Sequence, residues 1–443
     1  MSINLKSLLI DDMANGTFRV DRRIFREQEV YEAEMERIFA GTWIFLGLES
    51  QLPNNHDFFT THIGSQPVLV MKDGKGQIGG FMNTCRHRGA TVCAVKTGNR
   101  KVHTCPYHGW VYGSDGRCLS VKDQEVGGYA PDFQGQSHDL MAIPRFGNYR
   151  GLLFGCLTEA VPSLTDWMGE ARVFVDLVVD QSESGLEFVP GNSVYTYDAN
   201  WKLHLENSID SYHLTSTHPS FMEIVDRRNR GESANKQVRS PDFNKRVEKK
   251  AGMYTFDHGH CVVWLDNPAP QDRPLYRSID RLRERHGQTK TDWMFRLRNL
   301  TLFPSLQIAD STSLLIRRIR PLAVDRTEIT LHSLAPIGEE AGARETRIRQ
   351  HEDFFNASGL ATPDDTVCYE ACQEGYRVTG LRWQQGYDRG MTMTQSGGDA
   401  LSAELGINPR SSLQGPFPIQ NETIFHALYR GWRDLMTAPQ AAE

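Results

Sequence analysis

Two short loops in the first quarter of the chain each pair one cysteine with one histidine. The first loop reads Cys-Arg-His-Arg-Gly over 85–89, and the second reads Cys-Pro-Tyr-His-Gly-Trp over 105–110. Thiolates and imidazoles bind transition metals well, so two such loops predict a metal centre held by four side chains. The candidate ligands are Cys85, His87, Cys105 and His108.

Two kinds of metal centre use this set of ligands. A 2Fe–2S cluster of the Rieske type takes two thiolates on one iron and two imidazoles on the other. A structural zinc site also takes two of each, but it usually pairs cysteine with cysteine and histidine with histidine along the chain. Here each loop contains one of each, and a single residue separates the first pair. The spacing therefore favours the Rieske cluster over zinc.

The chain is much longer than a cluster domain requires. It has 443 residues, of which 39% are hydrophobic and 23% are charged, so it can bury a large core. We therefore expect one small domain joined to a larger one, and the larger domain has to explain the function. The formal net charge of −6 gives no reason to expect a nucleic-acid partner or an anionic membrane.

The location of the protein is also suggested by its sequence. No apolar run is long enough to cross a membrane, and the N-terminus lacks the apolar stretch of a signal peptide. The six cysteines outside the two loops show no disulfide spacing, which fits a reducing compartment. We expect a cytoplasmic protein without a membrane partner.

The sequence pattern divides the chain into three parts. Residues 17–40 show a helical spacing of apolar side chains within an N-terminal segment, 1–40, which we expect to pack on the larger domain. Short alternating runs separated by turns occupy 41–160, and they predict a small antiparallel β domain whose loops carry both ligand pairs. Residues 161–443 form the larger domain.

Helices and strands both occur in the larger domain, which makes the chain an α+β protein. The predicted elements are helices at 163–180 and 201–214, strands near 253–265, 299–308, 312–320 and 326–335, and helical residues 344–374 with a break at 357–359. A charged stretch, 226–250, is expected at the surface.

A second group of candidate ligands lies on and after the helix predicted over 201–214. Asp210 and His213 are three residues apart, so they share a helix face. Pro219 disfavours the helical conformation at His218, so we expect the helix to end between the two histidines and His218 to turn back towards His213. Two histidines and one carboxylate bind Fe(II) as a facial triad that leaves positions open for dioxygen.

The carboxylate of such a triad has to come from elsewhere in the chain. Asp364 and Asp365 follow Pro363 near the break in the last helical region. Asp364 suits the ordinary role of a helix N-cap, which leaves Asp365 as the better candidate ligand. Glu206, two helical turns before His213, is the competing carboxylate.

With these two metal motifs, the chain resembles the large (alpha) subunits of the Rieske non-haem iron ring-hydroxylating dioxygenases over almost its whole length. Three segments are most similar to the benzoate, 2-halobenzoate and anthranilate dioxygenase branch: 57–64, 195–203 and 352–365. The resemblance implies a small antiparallel β Rieske domain and a larger catalytic domain with an antiparallel sheet covered by helices, of the helix-grip type.

The resemblance also implies roles for individual residues. His213, His218 and Asp365 would hold a mononuclear non-haem Fe(II). Asp210 and Asn207 are the candidate catalytic residues. Asp210 would link this iron to the Rieske histidine of a neighbouring subunit.

The activity implied by the resemblance is dihydroxylation of the ring of a benzoate-like aromatic carboxylate by dioxygen. Benzoate, anthranilate, salicylate and halobenzoates are the candidate substrates. The implied partners are a homotrimer of alpha subunits, a small beta subunit in an α3β3 assembly, and an NADH-dependent reductase with flavin and a 2Fe–2S centre. Two alternatives stay open: a Rieske monooxygenase or demethylase, and an electron-transfer protein without a catalytic iron of its own.

A carboxylate that enters an apolar pocket needs a cationic or multi-donor partner, because burying it unpaired is expensive. The candidate partners are His204, Arg318 and Arg320. Gln307, Met222 and the predicted strand 254–264 are the candidate pocket residues.

Overall fold

The structure, a computed structural model, divides into two compact units, Phe39–Leu164 and Met1–Ile38 with Thr165–Glu443. The described residues are 3–231, 250–416 and 421–439. Most of the charged stretch at 226–250, from 232 to 249, lies outside the described residues. Among the residues that are described, no helix is both long and apolar enough to cross a membrane.

The N-terminal segment of the larger unit is only partly helical. Its elements are β1 (Leu9–Asp12), β2 (Thr17–Val20), a 3-10 turn (Arg22–Phe25), α1 (Gln28–Glu34) and a π turn (Met35–Phe39). The helix predicted over 17–40 is therefore wrong at its start. Phe18 and Val20 are fully buried on one side of the β1–β2 hairpin, so a two-residue alternation applies there in place of the helical period.

The smaller unit consists mainly of short antiparallel strands, as predicted. Its elements are β3 (Ile44–Leu48), β4 (Asp57–Ile63), β5 (Gln66–Lys72), β6 (Ile78–Met82), β7 (Thr97–Asn99), β8 (Val102–Thr104), β9 (Val111–Gly113), β10 (Cys118–Ser120), α2 (Pro131–Gly135), β11 (Arg145–Tyr149) and β12 (Leu152–Cys156). They form sheets in the orders β6-β5-β4-β7, β10-β9-β8 and β11-β12-β3. One cysteine–histidine loop connects β6 to β7, and the other connects β8 to β9.

The larger unit adds helices to a long antiparallel sheet. Its further elements are α3 (Leu164–Met168), α4 (Arg172–Val179), β13 (Leu186–Phe188), β14 (Ser193–Tyr197), α5 (Trp201–Asn207), α6 (Leu214–Thr217), α7 (Pro219–Asn229), β15 (Lys250–Thr255), β16 (Cys261–Leu265), α8 (Ile279–Phe295), β17 (Leu297–Leu302), β18 (Leu306–Asp310), β19 (Leu314–Ala323), β20 (Arg326–Pro336), α9 (Ala341–Phe354), α10 (Thr362–Gly375), β21 (Gln395–Ser396), α11 (Ala400–Glu404), β22 (Ser411–Pro416) and α12 (Phe425–Thr437). The sheet order is β13-β20-β19-β18-β17-β16-β15-β22-β21, and β14 also pairs with β20. This confirms the predicted α+β class.

Alternate residues of this sheet face two different sets of helices. On one face, Ala309 and Leu315 pack with Phe354 of α9. On the other face, Trp264 of β16 packs edge-on against Trp293 of α8. Helices α5 and α9, which border the candidate iron site, both pack on β19.

The helix predicted over 201–214 ends early, at Asn207. The next residues form turns in which the Asp210 carboxylate accepts a hydrogen bond from the backbone N–H of Tyr212 at 2.6 Å. Side chains of this kind offer the backbone an alternative to helical hydrogen bonds. Asp210 and His213 are therefore close because of a turn and not because they share a helix face.

A buried carboxylate joins the N-terminal segment to α5 and α12. Glu34 is fully buried and accepts hydrogen bonds from the Lys202 ammonium at 2.6 Å, the Trp201 indole at 2.8 Å and the Trp432 indole at 2.7 Å. Burial lowers the pKa of Lys202 even though Glu34 opposes that shift. This contact fixes the first turn of the helix that ends at the candidate iron site.

Replacing Glu34 by alanine should destabilise the larger unit by about 3–5 kcal/mol, because it leaves the Lys202 ammonium buried without a counter-charge. Urea unfolding followed by tryptophan fluorescence measures this change. The matched control is Glu32→Ala on the exposed side of the same helix, with an expected change of about 0.5 kcal/mol or less. Equal losses in the two variants would show that Glu34 does not hold these helices together.

Candidate metal centres and active site

The two cysteine–histidine loops of the smaller unit have the same backbone hydrogen bonds. The N–H of Gly89 donates to the carbonyl of Cys85 at 2.9 Å, and the N–H of Gly109 donates to the carbonyl of Cys105 at 3.0 Å. Both glycines have φ near +74°, a conformation that favours glycine. Both cysteines are buried in the domain core. The two loops thus present their thiols in equivalent positions.

The two histidines of these loops lie side by side. The ring centroids of His87 and His108 are 4.4 Å apart, and His87 stacks on Trp110. The Nδ1 atom of His87 is enclosed and has no hydrogen-bond partner among the described residues, which fits a nitrogen that binds iron. The hydroxyl of Tyr112 lies 3.2 Å from the Cys85 sulfur, in reach of a thiolate ligand. Two thiols and two adjacent imidazoles fit a Rieske cluster.

In the larger unit, the structure brings together His213, His218 and Asp365. The Nε2 atoms of the two histidines lie 3.5 Å and 3.2 Å from the same oxygen, Oδ1 of Asp365. The three ligand atoms lie within 4.8 Å of one another. Donors about 2.1 Å from one ion at right angles are about 3 Å apart, so this spacing fits a single metal.

Each of these histidines has a second carboxylate on its far nitrogen. Nδ1 of His213 is 2.9 Å from Asp210, and Nδ1 of His218 is 3.2 Å from Asp364. Such outer carboxylates orient metal-binding imidazoles and select the tautomer whose Nε2 is free to bind. The role predicted for Asp364, a helix N-cap, is wrong, since Ala361 occupies the N-cap position of α10.

Close contacts among His213, His218, Asp210 and Asp365 shift the pKa values of His213 and Asp365. Burial lowers the pKa of His213, but hydrogen bonds to Asp210 and Asp365 outweigh it and raise that pKa to about 9. Burial raises the pKa of Asp365, and its contacts with His213 and His218 outweigh this and hold it well below its usual value. Asp365 is therefore an ionised carboxylate, as a metal ligand requires.

The amide of Asn207, the last residue of α5, lies beside two of the candidate ligand atoms. Its Nδ2 donates to Oδ1 of Asp365 at 3.0 Å and is 3.2 Å from Nε2 of His213. Asn207 therefore contacts the candidate site, and it holds the Asp365 carboxylate in place.

The competing carboxylate, Glu206, lies in a different environment. It accepts hydrogen bonds from the hydroxyls of Tyr429 and Tyr387, the latter at 2.9 Å. Burial raises the pKa of Glu206 to about 7. The structure directs this side chain to α12 and not to the histidines, so Glu206, the less favoured alternative to Asp365, does not join the site.

A cleft opens beside His213, His218 and Asp365. It contains about 990 Å³ of empty space, part of which is open to solvent. Apolar side chains from the sheet and from the end of α9 form much of its wall: Val263, Leu265, Leu297, Phe354 and Phe355. A cleft of this size and character can take an aromatic ring next to the candidate iron ligands.

Most of the residues predicted for the substrate pocket do not line this cleft. Among the described residues of its wall, the predicted strand 254–264 contributes Val263 and Trp264. The residues that do not line it are His204, Gln307, Met222, Arg318 and Arg320.

The strand register explains why Arg318 and Arg320 do not line the cleft, contrary to the prediction. Arg318 is opposite Thr330 and donates a hydrogen bond to it at 3.3 Å, on the face of the sheet away from the cleft. Arg317, which sequence reasoning missed, lies on the cleft face. An alternation count along β19 that started from the apolar residue Leu315 would have distinguished the two faces.

Known families match both units of the chain. Residues 187–438 match the family described as ring hydroxylating alpha subunit (catalytic domain), and residues 42–131 match the Rieske [2Fe-2S] domain. The first match alone covers more than half of the chain. The chain therefore belongs to the ring-hydroxylating alpha subunits that carry a Rieske domain, and it is an oxidoreductase.

Named relatives extend this likeness over nearly the whole chain. The toluate 1,2-dioxygenase subunit alpha of Pseudomonas putida is 39% identical over 98% of this chain and 94% of its own length. The anthranilate 1,2-dioxygenase large subunit of Acinetobacter baylyi is 42% identical over 89% and 85%, respectively. The crystal structure of naphthalene 1,2-dioxygenase from Rhodococcus sp. bound to indole has a TM-score of 0.83 at 25% identity, and the match covers 99% of this chain and 100% of that one.

The family also identifies the cofactors. Its two domains imply a Rieske 2Fe–2S cluster and a mononuclear non-haem iron. The prediction of a Rieske cluster in preference to zinc is confirmed. The enclosed Nδ1 of His87 and the shared Asp365 oxygen show that residues of this chain fit both groups.

Replacing His213 or His218 by alanine should remove the mononuclear iron and abolish turnover, since each variant loses one of three expected ligands. The visible spectrum of the Rieske cluster should remain, because its loops belong to the other unit. Iron analysis and absorbance measure the two outcomes separately. The reciprocal control is Cys85→Ser, which should lose the cluster spectrum. Full activity in both histidine variants would contradict the assignment.

Proposed function

We propose that this chain is the oxygenase subunit of an enzyme that dihydroxylates the ring of a benzoate-like aromatic carboxylate. The observation that carries this proposal is the set of three candidate ligands, His213, His218 and Asp365, at the wall of an apolar cleft. The names of the toluate and anthranilate dioxygenase relatives support a carboxylate substrate. The reaction adds both atoms of dioxygen to adjacent ring carbons and takes up two electrons and two protons.

The two sets of ligands have separate roles in this proposal. Cys85, His87, Cys105 and His108 hold the Rieske cluster. His213, His218 and Asp365 hold the mononuclear iron. When bound, the cluster supplies electrons one at a time, and the iron supplies the open positions at which dioxygen reacts.

The surrounding side chains prepare the iron ligands. Asp210 and Asp364 accept hydrogen bonds from the Nδ1 atoms of His213 and His218, which orients both rings and leaves Nε2 as the nitrogen that would bind iron. Asn207 donates to Oδ1 of Asp365 and limits its rotation. The geometry of the site is therefore set before substrate enters, which reduces the cost of ordering it.

Asp210 has a further role in the proposal, as the link between this iron site and the Rieske histidine of a neighbouring subunit. One of its oxygens is bound to the His213 ring, while its side chain stays 16% exposed. A carboxylate in this position can accept a hydrogen bond from a second imidazole that approaches from outside.

The chain works as the oxygenase component of an oligomeric system that includes a reductase. Within this system, we propose a homotrimer of alpha subunits with a small beta subunit in an α3β3 assembly. Electrons come from an NADH-dependent reductase with flavin and a 2Fe–2S centre. We propose that this system is cytoplasmic.

Replacing Asp210 by alanine should weaken iron binding by about 10- to 100-fold and, in protein reloaded with excess Fe(II), also slow electron transfer between the two centres by about 100-fold. The measurement is a single turnover: the cluster is reduced, substrate and oxygen are added, and the rate of cluster oxidation is followed by absorbance. The matched control is Asp364→Ala, which removes the other outer carboxylate. It should weaken iron binding by about 10- to 100-fold but leave the rate per bound iron unchanged.

Rapid cluster oxidation coupled to product in the Asp210→Ala protein would remove its bridging role. The residue would then act only by orienting His213.

The reconstituted enzyme should consume oxygen with benzoate, anthranilate, salicylate or 2-chlorobenzoate in preference to naphthalene, because an uncharged arene has no group for a cationic partner. Mass spectrometry of products formed under ¹⁸O₂ tests the reaction class. Both labelled atoms should enter one product molecule. A single labelled atom would point to the monooxygenase alternative, and a preference for naphthalene would contradict the carboxylate substrate.

A further inference from the structure

The cleft beside the candidate iron ligands contains a buried arginine that has no carboxylate partner among the described residues. Arg317 is 7% exposed and lies on β19, on the face that Leu315 also occupies. It lines the cleft together with Phe355 and the three candidate iron ligands. Its guanidinium carbon lies 4.6 Å from the centroid of the Phe355 ring, a cation–π contact that holds the group at the cleft wall.

Other buried arginines of the larger unit do have carboxylate partners. Arg298 and Arg273 share Asp310, and Arg347 contacts Glu339 at 2.6 Å. These pairs compensate the cost of removing a guanidinium from water. In the part of the chain that the structure describes, no carboxylate lies within ion-pair distance of Arg317.

Arg298 also borders the cleft, but its guanidinium is already paired with Asp310. Its partner Asp310 is aligned with it across the sheet, and both belong to the face opposite Leu315. Its guanidinium also donates to the carbonyl of Met294, in α8. Among the described residues of the cleft wall, Arg317 is therefore the arginine without a carboxylate partner.

Two histidines that interact with the charge of Arg317 do not neutralise it. Burial, and then the charge of Arg317, lower the pKa of His204 to about 3 and that of His351 to about 4. Both imidazoles are therefore neutral and supply no negative charge. The nearby carboxylate, Asp365, is already committed to two histidines and to Asn207.

We propose that Arg317 binds the carboxylate of the aromatic substrate, an inference that rests on the proposed function. A substrate anion supplies the counter-charge that the described part of the chain does not provide. The ion pair places the carboxylate at the sheet wall and leaves the ring to pack against Phe354 and Phe355, with the iron ligands at the same cleft. The guanidinium fork suits the two oxygens of a carboxylate better than an ammonium does.

The residue then determines substrate class. An uncharged arene leaves the guanidinium unpaired in an apolar cleft, whereas a carboxylate pairs with it. Sites with a buried polar group reject substrates that lack its partner much more strongly than sites that select only by shape.

The test is equilibrium dialysis of labelled benzoate against the iron-loaded holoenzyme without oxygen, so that binding is measured without turnover. Arg317→Met keeps the length of the side chain and removes its charge, and it should raise the Kd for benzoate about 100-fold. Arg317→Lys keeps the charge and loses the fork, and it should raise the Kd about 10-fold. The matched control, Arg320→Met, alters the same strand on its other face and should change the Kd less than 2-fold, within ordinary error.

Steady-state kinetics give a second measurement. Arg317→Met should raise KM for benzoate much more than it lowers kcat, and it should lower the preference of the enzyme for benzoate over benzene. Cluster absorbance and iron content check that each variant is folded and loaded. Arg317→Gln provides a second uncharged side chain if the methionine variant does not fold.

Two adverse results can be told apart. A wild-type enzyme that binds benzoate tightly while Arg317→Met or Arg317→Gln binds it equally well overturns the role of Arg317 and leaves the proposed function intact. A wild-type enzyme that binds benzene but not benzoate overturns the carboxylate substrate, and the role of Arg317 with it.

Discussion

The candidate active site depends on one carboxylate oxygen that two imidazoles approach together. Oδ1 of Asp365 lies 3.2 Å from Nε2 of His218 and 3.5 Å from Nε2 of His213. Each imidazole can aim its Nε2 at this point because its Nδ1 is held by Asp210 or Asp364. These three atoms are the ones that we propose hold the iron. They are held in position by four helices: α5, α6, α7 and α10.

Helices that end or begin beside the site place its residues. Helix α5 is fixed at its start by the buried Glu34 and ends at Asn207, whose amide contacts the site. Helix α7 begins at Pro219, directly after His218, where proline lacks only an N–H that a helix start leaves unpaired anyway. The ligands therefore lie at helix ends, where the backbone can change direction over a few residues.

Much of this could be predicted from the sequence, because the cluster loops and the histidine pair are short local patterns. The ends of helices and the register of strands were harder to predict from the sequence. The turn after Asn207 results from competition between side-chain and helical hydrogen bonds, which a periodicity count does not register. The contact of Asp364 with His218 joins residues 146 positions apart. Arg317 and Arg318 are neighbours in sequence, and only the alternation of β19 separates their environments.

We propose that one chain holds two different iron centres. Quantitative iron and acid-labile sulfide analysis of the purified, reconstituted protein tests it directly. We expect about three irons and about two sulfides per chain, with two irons in the Rieske cluster and one at His213, His218 and Asp365. About two irons with about two sulfides, unchanged after incubation with excess Fe(II), would contradict it and leave an electron-transfer protein without a catalytic iron.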